Sequence, residues 1–206
     1  MTFIKICGIT NLDDALAAVD AGVDALGFNF YNLSPRYVTP ETAREIIDQL
    51  PASILTVGVF VNEQFVEELA RRAGVTAIQL HGDETPDYCR QLDAGHFVIK
   101  ALSAGHGFNA QQARDYDVDA ILLDTKDDAL RGGTGRVFDW SIAQEVRRAV
   151  PKLFLAGGLG VQNIEQAIIS VDPYAVDACS KLEETPGKKD HERMRSFVQT
   201  VRSIKA

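Results

Sequence analysis

The sequence predicts a closed α/β barrel of eight parallel strands, each followed by a helix. Short apolar runs alternate with amphipathic segments eight times within 206 residues, which is the rhythm of repeated strand–helix units. Several of those runs, such as 54–61, are apolar throughout, as strands buried on both faces are. Polar side chains recur near the carboxyl ends of the runs, where a parallel barrel opens its mouth. A doubly wound open sheet shares the alternation, and the count of eight favours the barrel.

The opening run Phe3-Ile4-Lys5-Ile6-Cys7-Gly8-Ile9-Thr10 alternates, so Ile4 and Ile6 share one face while Phe3, Lys5 and Cys7 share the other. Cys7 stands at the carboxyl end, before a glycine turn. Thr10 or Asn11 caps a helix whose apolar positions Leu12, Ala15, Leu16 and Val19 recur at helical spacing, and Gly22 closes it. A strand over 24–30 leads into a turn-rich loop over 31–40 that carries Ser34-Pro35-Arg36, and Pro40 opens a helix through Leu50. Strands over 54–61, 76–81 and 97–102 then alternate with helices over 63–73 and 85–91 and with a short, weakly amphipathic helix over 109–116. A strand over 118–124 precedes a glycine-rich loop over 131–136 and a helix over 138–149. The last units are a strand over 153–156 with a helix over 161–169, and a strand over 174–179 with a helix over 191–204.

No Pro- or Ser-rich linker and no run of like charge divides the sequence, so residues 1–206 read as one domain. A hydrophobic fraction of 46% is that of a globular protein, and a formal charge of −8 argues against general affinity for nucleic acid or anionic membranes. An anionic ligand then requires a local site. The three cysteines, Cys7, Cys89 and Cys179, are an odd number in unrelated sequence contexts without metal-ligand spacing. They argue against a disulfide framework and a zinc site, and fit a reducing cytoplasm. The N-terminus lacks signal-peptide features, and no apolar run approaches the length of a membrane span.

In a parallel barrel the outer strand faces are covered by apolar helices, so polar strand residues are expected to point inward, toward the mouth. This selects Lys5, Cys7, Gln79, His81, Lys100, Asp124 and Asp177. Five strands contribute, which favours a cleft over isolated buried polar groups. His81 alone reads as a structural histidine, the commoner case. Ala156-Gly157-Gly158-Leu159-Gly160 follows the seventh strand and leads into a helix, so backbone N–H groups at Gly157 and Gly158 can face a phosphate. Ser180, after the eighth strand, with Pro186-Gly187-Lys188-Lys189 beyond it, completes such a site. Gly132-Gly133-Thr134-Gly135 suits a lid or a simple connection.

These residues resemble a family. Lys5-Ile6-Cys7-Gly8-Ile9-Thr10, Gly27-Phe28 with Ser34-Pro35-Arg36, Val57-Gly58-Val59-Phe60, Gln79-Leu80-His81-Gly82, Leu122-Leu123-Asp124, Gly132-Gly133-Thr134-Gly135 and Ala156-Gly157-Gly158-Leu159 are similar, in order, to phosphoribosylanthranilate isomerase. The resemblance implies a (β/α)8 TIM barrel without metal or organic cofactor. The reaction it implies turns N-(5-phosphoribosyl)anthranilate into 1-(2-carboxyphenylamino)-1-deoxyribulose 5-phosphate, a step of tryptophan biosynthesis. It further implies Asp124 as general acid, Cys7 as general base and Arg36 on the anthranilate carboxylate. Lys5, His81 and Asp177 are expected at the substrate, and Gly157, Gly158, Ser180 and Lys181 at the phosphate.

A base at neutral pH needs a depressed thiol pKa, and Lys5 on the same strand face is expected to supply it. The family usually reads Asp-Val-Ser-Ser-Gly-Val-Glu at strand eight, where this chain has Asp177-Ala178-Cys179-Ser180-Lys181-Leu182-Glu183. Lys181 thus replaces a glycine, and a left-handed backbone there would cost a lysine roughly 1–2 kcal/mol. The loop is expected to shift and place the ammonium near the phosphate. The partner implied is a small phosphosugar-anthranilate, with the protein a monomer or homodimer. Two rivals are another phosphosugar aldose–ketose isomerase, where a carboxylate is expected in place of Cys7, and a non-catalytic phosphosugar-binding barrel.

Overall fold

The computed structural model describes residues 1–92, 95–105, 107–124 and 140–204. Eight parallel strands close into a barrel in sequence order: β1 (Phe3–Cys7), β2 (Ala25–Asn29), β3 (Leu55–Phe60), β4 (Ala77–Leu80), β5 (Phe97–Ser103), β6 (Ala120–Asp124), β7 (Leu153–Ala156) and β8 (Ala175–Ala178). β8 pairs back onto β1 with Lys5 opposite Asp177 and Ile6 opposite Ala178, so no strand edge is left open. Outside lie α1 (Leu12–Ala21), α2 (Pro40–Ile47), α3 (Val66–Ala73), α4 (Pro86–Gln91), α5 (Ser141–Ala149), α6 (Ile164–Val171) and α7 (His191–Ser203). The Gly132-Gly133-Thr134-Gly135 loop and the first residues of the helix expected over 138–149 lie outside the described residues.

Local chemistry sets the helix ends. The Asn11 side chain accepts from Asp14 N, and Gly22 closes α1 at φ 92°, a conformation that favours glycine. Thr39 and Thr85 cap the two helices that open on Pro40 and Pro86. α3 starts three residues later than the sequence suggests, because the Glu63 carboxylate accepts from Gln64 N and Phe65 N and holds a turn there. The segment between β5 and β6 is a 3-10 helix, Ala110–Asp115, with Ala110 and Ala113 buried. Residues three apart eclipse on a 3-10 helix, so two small side chains suffice to seat it.

Strand alternation divides the apolar residues into two bodies. Ala25, Val57, Ala77, Ile99, Leu122 and Phe154 fill the barrel, whereas Ile4, Ile6, Leu26, Phe28, Leu123 and Phe197 pack between sheet and helices. The last helix also braces the base of the barrel. Arg202 donates to Thr2 O, Gly22 O and Asp24 Oδ2, and Asp24 in turn accepts from Ile4 N. An unexpected hairpin, β9 (Glu183–Thr185) with β10 (Lys188–Lys189), follows β8. Among the described residues no helix is long and apolar enough to cross a membrane.

Lys100 departs from the expectation that polar strand residues point inward. The inward positions of β5 are Phe97, Ile99 and Ala101, so Lys100 faces outward. There it is buried, donating to Leu80 O (3.3 Å), Gly82 O (2.7 Å) and Glu84 Oε2 (2.7 Å). Glu84 also accepts from Asn62 N and Gly82 N, so the pair knits the connections after β3 and β4. Removing one member of a buried ion pair strands the other. Lys100→Met is therefore expected to lower stability by about 3–5 kcal/mol, read as a fall in urea midpoint at constant slope, with turnover per folded molecule unchanged. Loss of turnover at full stability would return Lys100 to the mouth.

Candidate active site

The carboxyl ends of the strands and the loops beyond them enclose a cleft of about 370 Å³, a size suited to a small metabolite. Cys7, Asn29, Val59, Gln79, Asp124, Ala156 and Asp177 line it from seven strands, and Arg36, His81, Gly157, Gly158, Cys179 and Ser180 from the segments that follow. Alternation dictates which strand residues arrive there. Ala77, Leu122 and Ala175 fill the barrel interior, so Gln79, Asp124 and Asp177, each two residues on, meet the cleft.

Cys7 stands opposite Gly27 across the β1–β2 ladder. A Cβ at residue 27 would lie 2.8 Å from the Cys7 sulfur, so only glycine leaves the thiol its place. The thiol is lowered from 9.0 to about 6. A hydrogen bond with the Cys179 side chain is the largest cause, opposed by burial and by Asp177, while Lys5 and Lys189 add smaller favourable charge terms. The same bond, together with burial, pushes the Cys179 thiol up. The pairing thus favours the ionised form of Cys7 and the protonated form of Cys179.

Lys5 helps Cys7 from below. It is fully buried and is not among the residues that line the cleft, which corrects its expected place at the substrate; its Nζ donates to Asp177 Oδ1 at 2.9 Å. Burial pulls the ammonium down, but Asp177 and Cys7 raise it further, and it ends above its ordinary value. His81 receives a contact from Gln79 Nε2 at Nδ1, 2.9 Å away. The other ring nitrogen, Nε2, lies 3.9 Å from Asp124 Oδ2, too far for a direct hydrogen bond. Burial is the main cause holding His81 below its ordinary value.

Arg36 donates from Nε (2.8 Å) and Nη2 (2.6 Å) to the two oxygens of Glu183. Both bonds use one edge of the guanidinium and fix its plane, leaving the other edge for a ligand carboxylate. Glu183 also accepts from Lys189 Nζ at 2.9 Å, and that ammonium donates to Cys7 O at 2.6 Å. Burial pushes the Glu183 carboxyl up, yet Arg36 and Lys189 outweigh it and hold the group at about 2.

At the opposite end, Gly157 and Gly158 adopt φ of 99° and 66°. A side chain on Gly158 would meet open space, so the backbone conformation, and not crowding, selects glycine. Asn163 holds this loop, accepting from Gly160 N and donating to Gly158 O; α6 begins only at Ile164, after a turn. Ser180 lies beside the loop in the cleft wall. Lys181 differs from expectation. It sits in a 3-10 turn, Ser180–Leu182, and is not among the described non-glycine residues with positive φ, Asn62 and Asp172. No left-handed backbone has to be forced there. Its stem packs against Gly160, and it is not among the cleft-lining residues. Lys188 pairs with Glu184 and Lys189 is buried under Cys7, so neither joins the glycine loop as the sequence suggested.

The sequence matches the family model of N-(5'-phosphoribosyl)anthranilate (PRA) isomerase over residues 4–200. The chain belongs to this family. An N-(5'-phosphoribosyl)anthranilate isomerase of Thermotoga neapolitana is 46% identical over 206 residues, 99% of this chain and 100% of that protein. The crystal structure of a phosphoribosyl anthranilate isomerase in complex with reduced 1-(o-carboxyphenylamino)-1-deoxyribulose 5-phosphate matches with a TM-score of 0.86 at 40% identity, over 99% of this chain and 100% of that one. Monomers generated from the dimeric enzyme of Thermotoga maritima match with a TM-score of 0.84 at 38% identity, over 99% and 100%. The chain is thus an isomerase of phosphoribosylanthranilate, in tryptophan biosynthesis.

Sequence reasoning missed Cys179, Glu183 and Lys189. Cys179 looked unrelated to Cys7, and the Lys188-Lys189 pair was read with the phosphate loop instead of beneath Cys7; the only signal was the strand-eight motif, whose glutamate Glu183 retains. The Glu183 node is testable. Its depressed pKa adds stability that is complete above the ordinary value of 4.5 and is lost as pH falls through about 2. Glu183→Gln is expected to cost about 3–5 kcal/mol near neutrality. Urea melts repeated in acid should show the gap closing as the wild-type carboxyl protonates.

Proposed function

We propose that Asp124 and Cys7 are the acid and base of the isomerisation, and that residues 1–206 act as one barrel domain in the cytoplasm. The observation that carries this is that Cys7 and Asp124 line the same cleft, with the Cys7 thiol lowered to about 6 by its surroundings. Asp124 protonates the ribose ring oxygen, the ring opens to an iminium, and the Cys7 thiolate takes the proton from the sugar C2 to give an enolamine. Return of a proton completes the ketone, so the reaction moves protons without net loss or gain. His81, with its Nε2 toward Asp124, and Asp177 line the substrate, and Lys5 acts through Asp177 and Cys7. The backbone N–H groups at Gly157 and Gly158, with Ser180, meet the phosphate, and Lys181 adds charge at that rim. The complex of a 40% identical relative with the reduced product supports this reading, and the dimeric Thermotoga maritima relative supports a homodimer over a monomer.

Cys7→Ala and Asp124→Asn are each expected to lower kcat by at least about a hundredfold, with far-UV circular dichroism unchanged. In the wild type, kcat/KM should fall as pH drops through about 6, where Cys7 protonates, and not through the ordinary thiol range. Near-normal turnover in either variant would sink the assignment.

Arg36, braced by Glu183 beyond the reacting carbon, is assigned to the anthranilate carboxylate. Steady-state kinetics of Arg36→Met should show KM rising more than kcat falls. A defect confined to kcat would instead give Arg36 a role in the transition state.

A further inference from the structure

The closing ladder of the barrel brings two thiols together. Lys5 stands against Asp177 and Ile6 against Ala178, so the register carries residue 7 to the side of residue 179, one step past the last paired residues. Neighbouring strands lie about 4.8 Å apart, inside the roughly 4.4–6.8 Å between Cα atoms that a disulfide accepts. Both side chains line the cleft, and one ammonium touches both residues: Lys189 Nζ lies 2.6 Å from Cys7 O and 3.8 Å from the Cys179 sulfur. Cys89, the remaining cysteine, is buried in α4, in a different part of the fold.

We propose that Cys7 and Cys179 form a dithiol site that a hydroperoxide closes reversibly into a disulfide. The Cys7 thiolate attacks the peroxide, forming an S–O bond as the O–O bond breaks, and the departing oxyanion takes a proton from water. The Cys179 sulfur then displaces hydroxide from the Cys7 sulfenic acid, and the Cys179 proton leaves with that hydroxide as water. Two electrons pass from the two sulfurs to the peroxide, which ends as water and an alcohol, or as two waters from hydrogen peroxide.

Three features favour this outcome over progressive oxidation of Cys7. The resolving thiol already stands beside Cys7 across the β1–β8 closure, so no strand has to move. Its own ionisation is resisted chiefly by the Cys7 thiolate and by burial, and the thiolate charge vanishes once Cys7 carries oxygen. Two cations then remain to favour the Cys179 thiolate: Lys189 Nζ is 3.8 Å from its sulfur, and Arg36 is the second. A low-pKa, accessible thiol beside a resolving one is the arrangement that stops oxidation at the reversible stage. The effect on turnover rests on Cys7 being the base.

The test treats the purified full chain with hydrogen peroxide or an alkyl hydroperoxide, then unfolds it, alkylates free thiols and maps the peptides. The expected product is a monomer lighter by two hydrogens, with Cys7 and Cys179 peptides linked and Cys89 alkylated. Dithiothreitol should restore all three thiols. Turnover should fall in proportion to the linked fraction and return on reduction. Cys179→Ser, which installs the family's usual residue, should give no lighter species and instead leave Cys7 with added oxygen. Wild-type protein that shows only oxygen adducts on Cys7, or Cys7 linked between two chains, overturns the proposal. A linked protein with undiminished turnover would uphold the crosslink and overturn the assignment of Cys7 as base.

Discussion

The contact on which the site depends is the closure of β8 onto β1. It sets the fully buried Lys5 against Asp177, at the floor of the cleft, in an ion pair of 2.9 Å. Such a pair costs several kcal/mol per ion in desolvation, and attraction at close range must offset that cost. What the pair secures is register. A slip of one residue would turn the inward face of β1 outward, sending Cys7 under the helices and Ile6 into the cleft. A slip of two would keep the faces but leave Lys5 and Asp177 without each other.

Charge beneath the cleft is arranged as a balanced set. The ammonium groups of Lys5 and Lys189 and the guanidinium of Arg36 face the carboxylates of Asp177 and Glu183. Three positive charges against two negative ones leave a single positive charge, which favours the ionised form of the Cys7 thiol. In a protein whose formal charge is −8, this local excess explains how a second anion-binding feature, the free edge of Arg36, persists beside a thiolate. The Cys179 thiol adds no charge to this set; it donates to Glu183 Oε1 at 3.8 Å and lines the same cleft as Cys7.

Most of the barrel was legible because strands buried on both faces must be apolar runs and helix ends carry their own chemistry, as at Asn11, Thr39 and Gly22. Cys7, Asp124, His81 and Asp177 were legible because alternation within a strand is a local rule. Lys100 shows where that rule stops: it assigns a face only when the neighbours two residues away are also read, and Ile99 and Ala101 were the better guides to β5. Glu183, Lys189 and Cys179 were not legible, since their partners Arg36 and Cys7 lie at the far end of the chain and only barrel closure joins them. The family resemblance pointed to Lys181 as the departure of interest, while the replacement two residues earlier, Cys179, is the one that stands beside Cys7 in the cleft.

The brace from Arg202 to Thr2, Gly22 and Asp24 has a consequence during synthesis. Translation makes Cys7 well before Asp177, Cys179, Lys189 and Arg202. Until those late residues leave the ribosome, β1 has no closing partner and Cys7 has neither its sulfur donor nor its underlying cations. The nascent polypeptide therefore carries an ordinary thiol with ordinary reactivity. The surroundings that lower the Cys7 thiol arise only with the closed barrel, so the acidity of Cys7 reports on whether β8 and α7 have docked.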